Sequence, residues 1–466
     1  MKKELLRGDE QPIFKKTIKH LADNLQKYIL LVLLFVLLIP LATNLINHKP
    51  IIMGEESYYH LNQAKNITGN NFYYIFLNIM GENLPLWSLL ALVYVLNISS
   101  CLMLIRFSKE ISNSNIFAFF FVLFIILSPT IIFNSIRLSA NMFFLFLVLT
   151  GFTLALHKKQ RINNFSIIPF TAAMFIDIAS TLILAVMLYL FLYKRKEKLI
   201  KQLFIIMAAI LLINMSVLNQ DFFFGPFHQQ DLISDFISDL GGAGGVSIFI
   251  LMLAIIGVKK IWNEKNLRIT YIFLSLFLAL YIYDTRAIFF LTFPLVFLAT
   301  FGFISLLKGS FSTTGKSSIM IKKFTLLLII LGILFSSVTY ISRVSELSPT
   351  ADEKETLLWI RDNSNHDSII YSTPENLHQI SYFAERRAFS SFDKKNKETS
   401  LNILSSTYIS DLFPLLEDNQ INIIYLNKKI KEQLPKDQGL LFLLKNERFK
   451  LLYSTNTTEA WEFSQD

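Results

Sequence analysis

The chain has 466 residues, 53% of them hydrophobic, with a formal net charge of +9 at pH 7. A soluble protein cannot hide that much apolar surface, and a single thiol, Cys101, excludes a disulfide framework and a cysteine-built metal site. The basic excess sits in short clusters between apolar runs, which is a membrane-topology signal rather than a nucleic-acid surface, so no nucleic-acid partner is expected.

Residues 1–27 are too polar to be the apolar core of a signal peptide. Ile13, Phe14, Ile18, Leu21 and Leu25 among lysines predict a basic amphipathic segment on the cytoplasmic membrane face. The apolar runs then follow as Tyr28–Ile46, Leu84–Ile105, Ile116–Phe133, Met142–Leu156, Phe165–Tyr193, Leu203–Leu218, Val246–Ile261, Ile269–Tyr283, Ile288–Leu307 and Phe324–Ile341. The run 165–193 would be ~43 Å long as one helix, against ~30 Å of hydrocarbon. Basic clusters at Lys158–Arg161 and Lys194–Lys196 bracket it. If both are cytoplasmic the run crosses twice, turning near Phe175-Ile176-Asp177. The expectation is an all-α polytopic membrane domain over 28–343 with about eleven transmembrane helices.

Lysine and arginine placement orients the chain. Segments assigned inside carry Lys2, Lys3, Arg7, Lys15, Lys16, Lys19, Lys27, Arg106, Lys109, the two clusters, Lys259, Lys260, Lys265, Arg268, Lys308, Lys316, Lys322 and Lys323. Segments assigned outside carry only Lys49, Lys65, Arg137 and Arg286 before the last run. The asymmetry predicts a multi-pass cell-membrane protein with a cytoplasmic amino terminus. Residues 344–466 then lie outside. There Glu353–Asn363 has helical spacing, while 367–372, 420–426, 449–454 and 460–463 read as strands, predicting a small extracytoplasmic α/β domain. It has no glycine-rich phosphate loop.

The densest chemistry lies just past the first run, in Met53-Gly54-Glu55-Glu56-Ser57-Tyr58-Tyr59-His60, read as an external loop. Two carboxylates, two tyrosines and a histidine there fit an interfacial anchoring loop or a site at a membrane cavity. The order of the residues resembles the first external loop of GT-C glycosyltransferases. It is most similar to the oligosaccharyltransferase-like members of archaea and bacteria, whose pattern reads roughly Asp-Pro-Tyr-Tyr-His. On that resemblance Glu56 takes the place of the catalytic acid and Ser57 that of the proline. Tyr58, Tyr59 and His60 match, and Asn62 stands where arginine is usual. The helix ending Trp-Ile-Arg-Asp-Asn before a strand is similar to the outer domains of many such chains. The Trp-Trp-Asp motif of true oligosaccharyltransferases is absent, which leaves sequon reading without its motif.

The resemblance implies a polyprenyl-phosphate-type sugar donor, an acceptor of unstated kind and inversion at the sugar carbon. Glu56 would act as general base or metal ligand, with Glu55 beside it. Arg286, opening Arg-Ala-Ile-Phe-Phe-Leu-Thr-Phe-Pro-Leu, is similar to the Arg-Phe-Leu…Pro segment before a late helix, and its guanidinium fork suits phosphate oxygens. Snorkelling, or a pair with Asp284, is the competing account of Arg286. Arg137 lies in a segment resembling the second external loop, where the family carries an acidic residue soon after. Here Leu138-Ser139-Ala140-Asn141 follows, without a carboxylate. Asp177 is the candidate replacement, although an aspartate at a turn is often simply solvated. Glu55, Glu56, Asp177 and His60 could hold Mg²⁺ or Mn²⁺ through oxygen ligands and one imidazole. Glu56 and Arg286, at the outer ends of distant spans, are expected to share one cavity. Two other classes stay open: a catalytically degenerate GT-C-like partner protein, and a transporter of lipid-linked glycans, which would carry charges inside several spans.

Overall fold

The computed structural model describes residues 20–21, 23–65, 71–83, 86–157, 159–192, 196–217, 232–242, 244–262, 264, 269–308, 316–389, 394–434 and 439–464. The amphipathic reading of 11–27 falls mostly outside them. The chain divides into two compact units, the first made of 1–41 and 69–344, the second of 42–68 and 345–466.

The first unit is helical. Among the described residues four helices are long and apolar enough to cross a membrane: Leu25–Ile46, Trp87–Ser112, Thr285–Leu307 and Phe324–Ser345. A fifth crossing is possible if Asn115–Ile126 and Pro129–Ser135, bent by 66° at their junction, form one broken span. By length and composition alone, the expected count of about eleven is not confirmed. Shorter apolar helices of ten to seventeen residues, such as Ala140–Ala155 and Ile178–Tyr189, account for several of the other apolar runs. The run 165–193 is broken where the sequence places a turn, into Ile167–Met174 and Ile178–Leu192.

Two kinds of contact hold this unit together. Helices Ile248–Ile261 and Ile288–Lys308 approach so closely at glycines that a Cβ on Gly257 would lie 1.9 Å from the Leu298 carbonyl oxygen, and one on Gly302 2.0 Å from that of Leu253. Small residues permit such backbone contact between helices. Phenylalanines fill the next interface. Phe117 meets Phe297 and Phe301 at ring-centroid distances of 5.3 and 4.8 Å, and Phe120 meets Phe303 at 4.5 Å, tilted or edge-on as the ring quadrupole prefers.

The second unit is α/β. Its five strands, β1 (Ile369–Tyr371), β2 (Arg387–Ala388), β3 (Ile421–Leu426), β4 (Phe449–Ser454) and β5 (Glu459–Phe463), form one sheet in the order β2-β1-β3-β5-β4. β1 is parallel to β2 and β3, while β5 is antiparallel to β3 and β4. Ile403, Leu412, Leu416, Ile421, Ile424 and Phe463 lie in its core. Helix Ala351–Asn363 starts with a capping box, Thr350 accepting from the Glu353 N–H and Glu353 accepting from the Thr350 N–H. This pairing satisfies two N–H groups that a helix terminus otherwise leaves open. One segment grouped in the sequence reading with the spans, 42–68, packs with this unit.

Candidate functional site

The stretch read as a loop is a helix, Glu55–Lys65. Its local chemistry explains why. Gly54 adopts φ +75°, a left-handed turn that only glycine enters at no steric cost. Two glutamates occupy the first turn and a lysine the last, the charge order that the helix dipole favours. Ser57 donates its hydroxyl to the Met53 carbonyl at 2.6 Å.

Helical spacing then sorts the residues by face. Glu56 and His60, four apart, meet at 3.5 Å between Oε1 and Nε2, with His60 fully buried. Tyr58 points the opposite way, into the second unit. It is 1% exposed, donates its hydroxyl to the Ile52 carbonyl at 2.9 Å, and packs against Tyr382 and Phe383 at 5.3 and 5.0 Å. Burial, the larger cause, and the charge of Tyr382 push its phenol well above the ordinary tyrosine range. Tyr58 is therefore an anchor for the helix, and its expected role in substrate binding is not what its side chain does here.

The remaining partner comes from far along the chain. His378 Nε2 lies 3.8 Å from Glu55 Oε1. Its ring meets Tyr59 edge-on at 4.9 Å, and its carbonyl accepts from Asn62 Nδ2 at 2.9 Å. Tyr59 in turn meets the His60 ring at 5.4 Å. The site in the second unit is thus two carboxylate–imidazole pairs bridged by one tyrosine ring, at the amino end of a helix. Sequence reasoning missed His378, which sits in an unremarkable Asn-Leu-His-Gln segment. Its placement depends on tertiary contacts. Asn376 donates to Ser372 Oγ, and Ser372 donates to the Tyr425 carbonyl, fixing the turn just past the ends of β1 and β3. Arg386 donates to the carbonyls of Arg361 and Ser364, tying the other end to helix Ala351–Asn363.

The other expected site residues lie in the first unit. Arg286 is paired with Asp284: Nη2 reaches Oδ2 at 2.6 Å, and Nε reaches both oxygens at 3.0 Å. Asp284 also accepts from the Arg286 N–H at 2.9 Å, capping the turn Thr285–Ala287. The competing account of Arg286, a pair with Asp284, is the observed arrangement. Arg137 is buried, with its guanidinium over the Phe133 ring at 3.2 Å, and lines a small cavity with Tyr73, Asn97, Ser139 and Met142. Asn134 next to it accepts from Ser139 and Asn141, so the segment expected as a second external loop is a packed polar network.

Asp177, the candidate replacement carboxylate, sits at the turn between two helices and is not simply solvated there. It is 5% exposed, and its carboxylate accepts from the Ser180 N–H at the start of helix Ile178–Leu192. That is a helix-capping contact, which a side-chain oxygen makes because the first turn has open N–H groups. Among the described residues no group of three or more His, Cys, Asp or Glu stands close enough to hold a metal ion. Glu55, Glu56 and His60 belong to the second unit and Asp177 to the first.

No protein-family model and no curated protein matches the chain in sequence. Solved structures do match in fold. The oligosaccharyltransferase of Archaeoglobus fulgidus in complex with Zn and sulfate is 12% identical over 95% of this chain and 73% of its own, with a TM-score of 0.57. The same protein, AglB, with an inhibitory peptide and a dolichol-phosphate gives 0.53 at 12% identity, over 94% and 74% of the two chains. The arabinofuranosyltransferase AftD from Mycobacteria gives 0.52 at 11% identity, over 95% of this chain and 40% of its own. The chain has the GT-C glycosyltransferase fold. At this identity the likeness is one of architecture.

Proposed function

We propose that this protein is a GT-C membrane glycosyltransferase that moves a sugar from a polyprenyl-phosphate-type donor to an acceptor outside the cytoplasm. The observation that carries the reading is the pairing of Glu56 with buried His60 at 3.5 Å, at the amino end of a helix, in a chain of this fold. That AglB is described with a dolichol-phosphate supports the donor class.

The chemistry follows from what the groups can do. Glu56 accepts the acceptor's proton as its nucleophilic atom bonds to the anomeric carbon. The bond from that carbon to the phosphate oxygen breaks, and the electron pair leaves with the phosphate, giving inversion. His60 beside Glu56 holds the carboxylate in place and shares the proton it receives. Arg286 offsets the leaving charge. Because Asp284 occupies its fork, the phosphate joins an existing ion pair rather than meeting an open guanidinium. Arg137 serves as a second donor-binding cation. A divalent ion, Mg²⁺ or Mn²⁺, would be held by Glu56 and Asp177 and would add positive charge beside the leaving phosphate.

The amino terminus is placed inside and residues 344–466 outside, with the shorter apolar helices completing about eleven crossings. A second reading, a catalytically degenerate partner protein, is favoured by one observation, the closed Arg286–Asp284 pair. Purified protein incubated with a panel of radiolabelled polyprenyl-phosphate sugars and candidate acceptors separates the two. Transfer of label supports the enzyme, and donor binding without transfer supports the partner protein.

A further inference from the structure

His378 has no role in the chemistry described above, yet everything around it is fixed. Its backbone is held by Asn62, its preceding turn by Asn376, and its ring by Tyr59. Its Nε2 faces Glu55 at 3.8 Å, with both side chains largely buried, 15% and 14% exposed. Glu55 adjoins Glu56 in the first turn of the helix, so a partner that holds Glu55 also holds the turn that carries Glu56. Each carboxylate thus has its own imidazole, His378 at 3.8 Å from Glu55 and His60 at 3.5 Å from Glu56.

We propose that His378 is a positioning residue: it binds Glu55 and thereby keeps the Glu56–His60 pair in the orientation that accepts the proton. The inference rests on the proposed transferase activity. It makes the carboxyl-terminal segment a contributor to the site rather than an appended domain. The contact orients a group that works only during proton transfer, so its loss reads in kcat and leaves the donor KM unchanged.

The test compares variants of the full chain in one detergent with one radiolabelled donor. His378→Phe keeps an aromatic ring against Tyr59 and removes the nitrogen. It is expected to lower kcat by about ten- to a hundred-fold, the scale of a small misplacement of a reacting group. His378→Gln, whose amide nitrogen sits near the position of Nε2, is expected to recover most of that rate. Glu55→Gln should match His378→Phe, and the double variant should lose no more than either single one, as coupled neighbours do. Lys65→Ala is the control. Its exposed pair with Glu385 joins the same two segments at 3.3 Å, and wild-type kcat is expected. Wild-type kcat in Glu55→Gln, or a loss confined to KM, overturns the inference while leaving the transferase reading intact. Should His378→Phe fail to fold, Glu55→Gln and His378→Gln decide the matter alone. A wild-type chain that transfers from no donor overturns both readings.

Discussion

Glu56 and Arg286 carry the sharpest expectations at the scale of single residues. Glu56→Gln keeps the shape of the side chain and removes its basicity, so transfer should vanish while donor binding persists. Arg286→Lys cannot hold Asp284 through a planar fork and still offer a further N–H to the phosphate. Donor binding should weaken by about 10- to 150-fold, the equivalent of ~1.5–3 kcal/mol for one charge-assisted contact, as read by equilibrium binding of a labelled lipid-phosphate sugar. Glu55→Gln should cost less than Glu56→Gln. If Glu55 proves the essential one, the roles of the two carboxylates are exchanged. The buried tyrosines add a pH dependence. Burial raises the phenols of Tyr58, Tyr371 and Tyr425 above the ordinary tyrosine value of 10.0. A raised folded value means that the folded state holds its proton longer. The stability this gives is complete below pH 10, and is lost as pH rises from there towards the folded values. Absorbance titration of the full chain should leave at least these three of the 17 phenols protonated until unfolding, above pH 10; ionisation of all 17 in a folded chain would contradict it.

At the scale of elements, glycine contact and helix capping make separate predictions. A methyl group on Gly257 meets the Leu298 carbonyl oxygen at 1.9 Å, which no side-chain rotation relieves. Gly257→Ala should therefore destabilise the protein by about 1–3 kcal/mol, the usual cost of overpacking, seen as a lower thermal midpoint in detergent. Thr350→Ala removes one half of the capping box and should cost about 0.5–2 kcal/mol. The strands of the second unit were legible because β-branched runs such as Ile421–Leu426 are bounded by Asn and Gln turns. Two-residue β2 was not legible, since a pair of residues has no periodicity. Helix Glu55–Lys65 carried a signal in its charge order, glutamates first and lysine last, but its short apolar face hid it among loop residues. Hydropathy reports apolar length, not where a helix bends, so the break inside 115–135 was not legible. The bend before Pro129 follows proline's preference for a first-turn position. His378 was illegible for a different reason: nothing local in sequence marks a residue whose partners lie about three hundred positions away.

At the scale of the whole molecule, topology and activity can be tested separately. Cys101 is buried, so an introduced surface thiol reports against a quiet background. Arg106→Cys should react only from the cytoplasmic side of sealed cells and Lys354→Cys only from the outside, following the distribution of basic residues; labelling of both from one side would reverse part of the topology. The fold likeness at 11–12% identity places the chain among GT-C architectures, and the functional claim then rests on Glu56. The most direct measurement is transfer from one radiolabelled polyprenyl-phosphate sugar by wild-type protein and Glu56→Gln, with donor binding measured on the same preparations. The account predicts label in the acceptor with wild type only, and equal donor binding by both. Equal transfer by both proteins would contradict it.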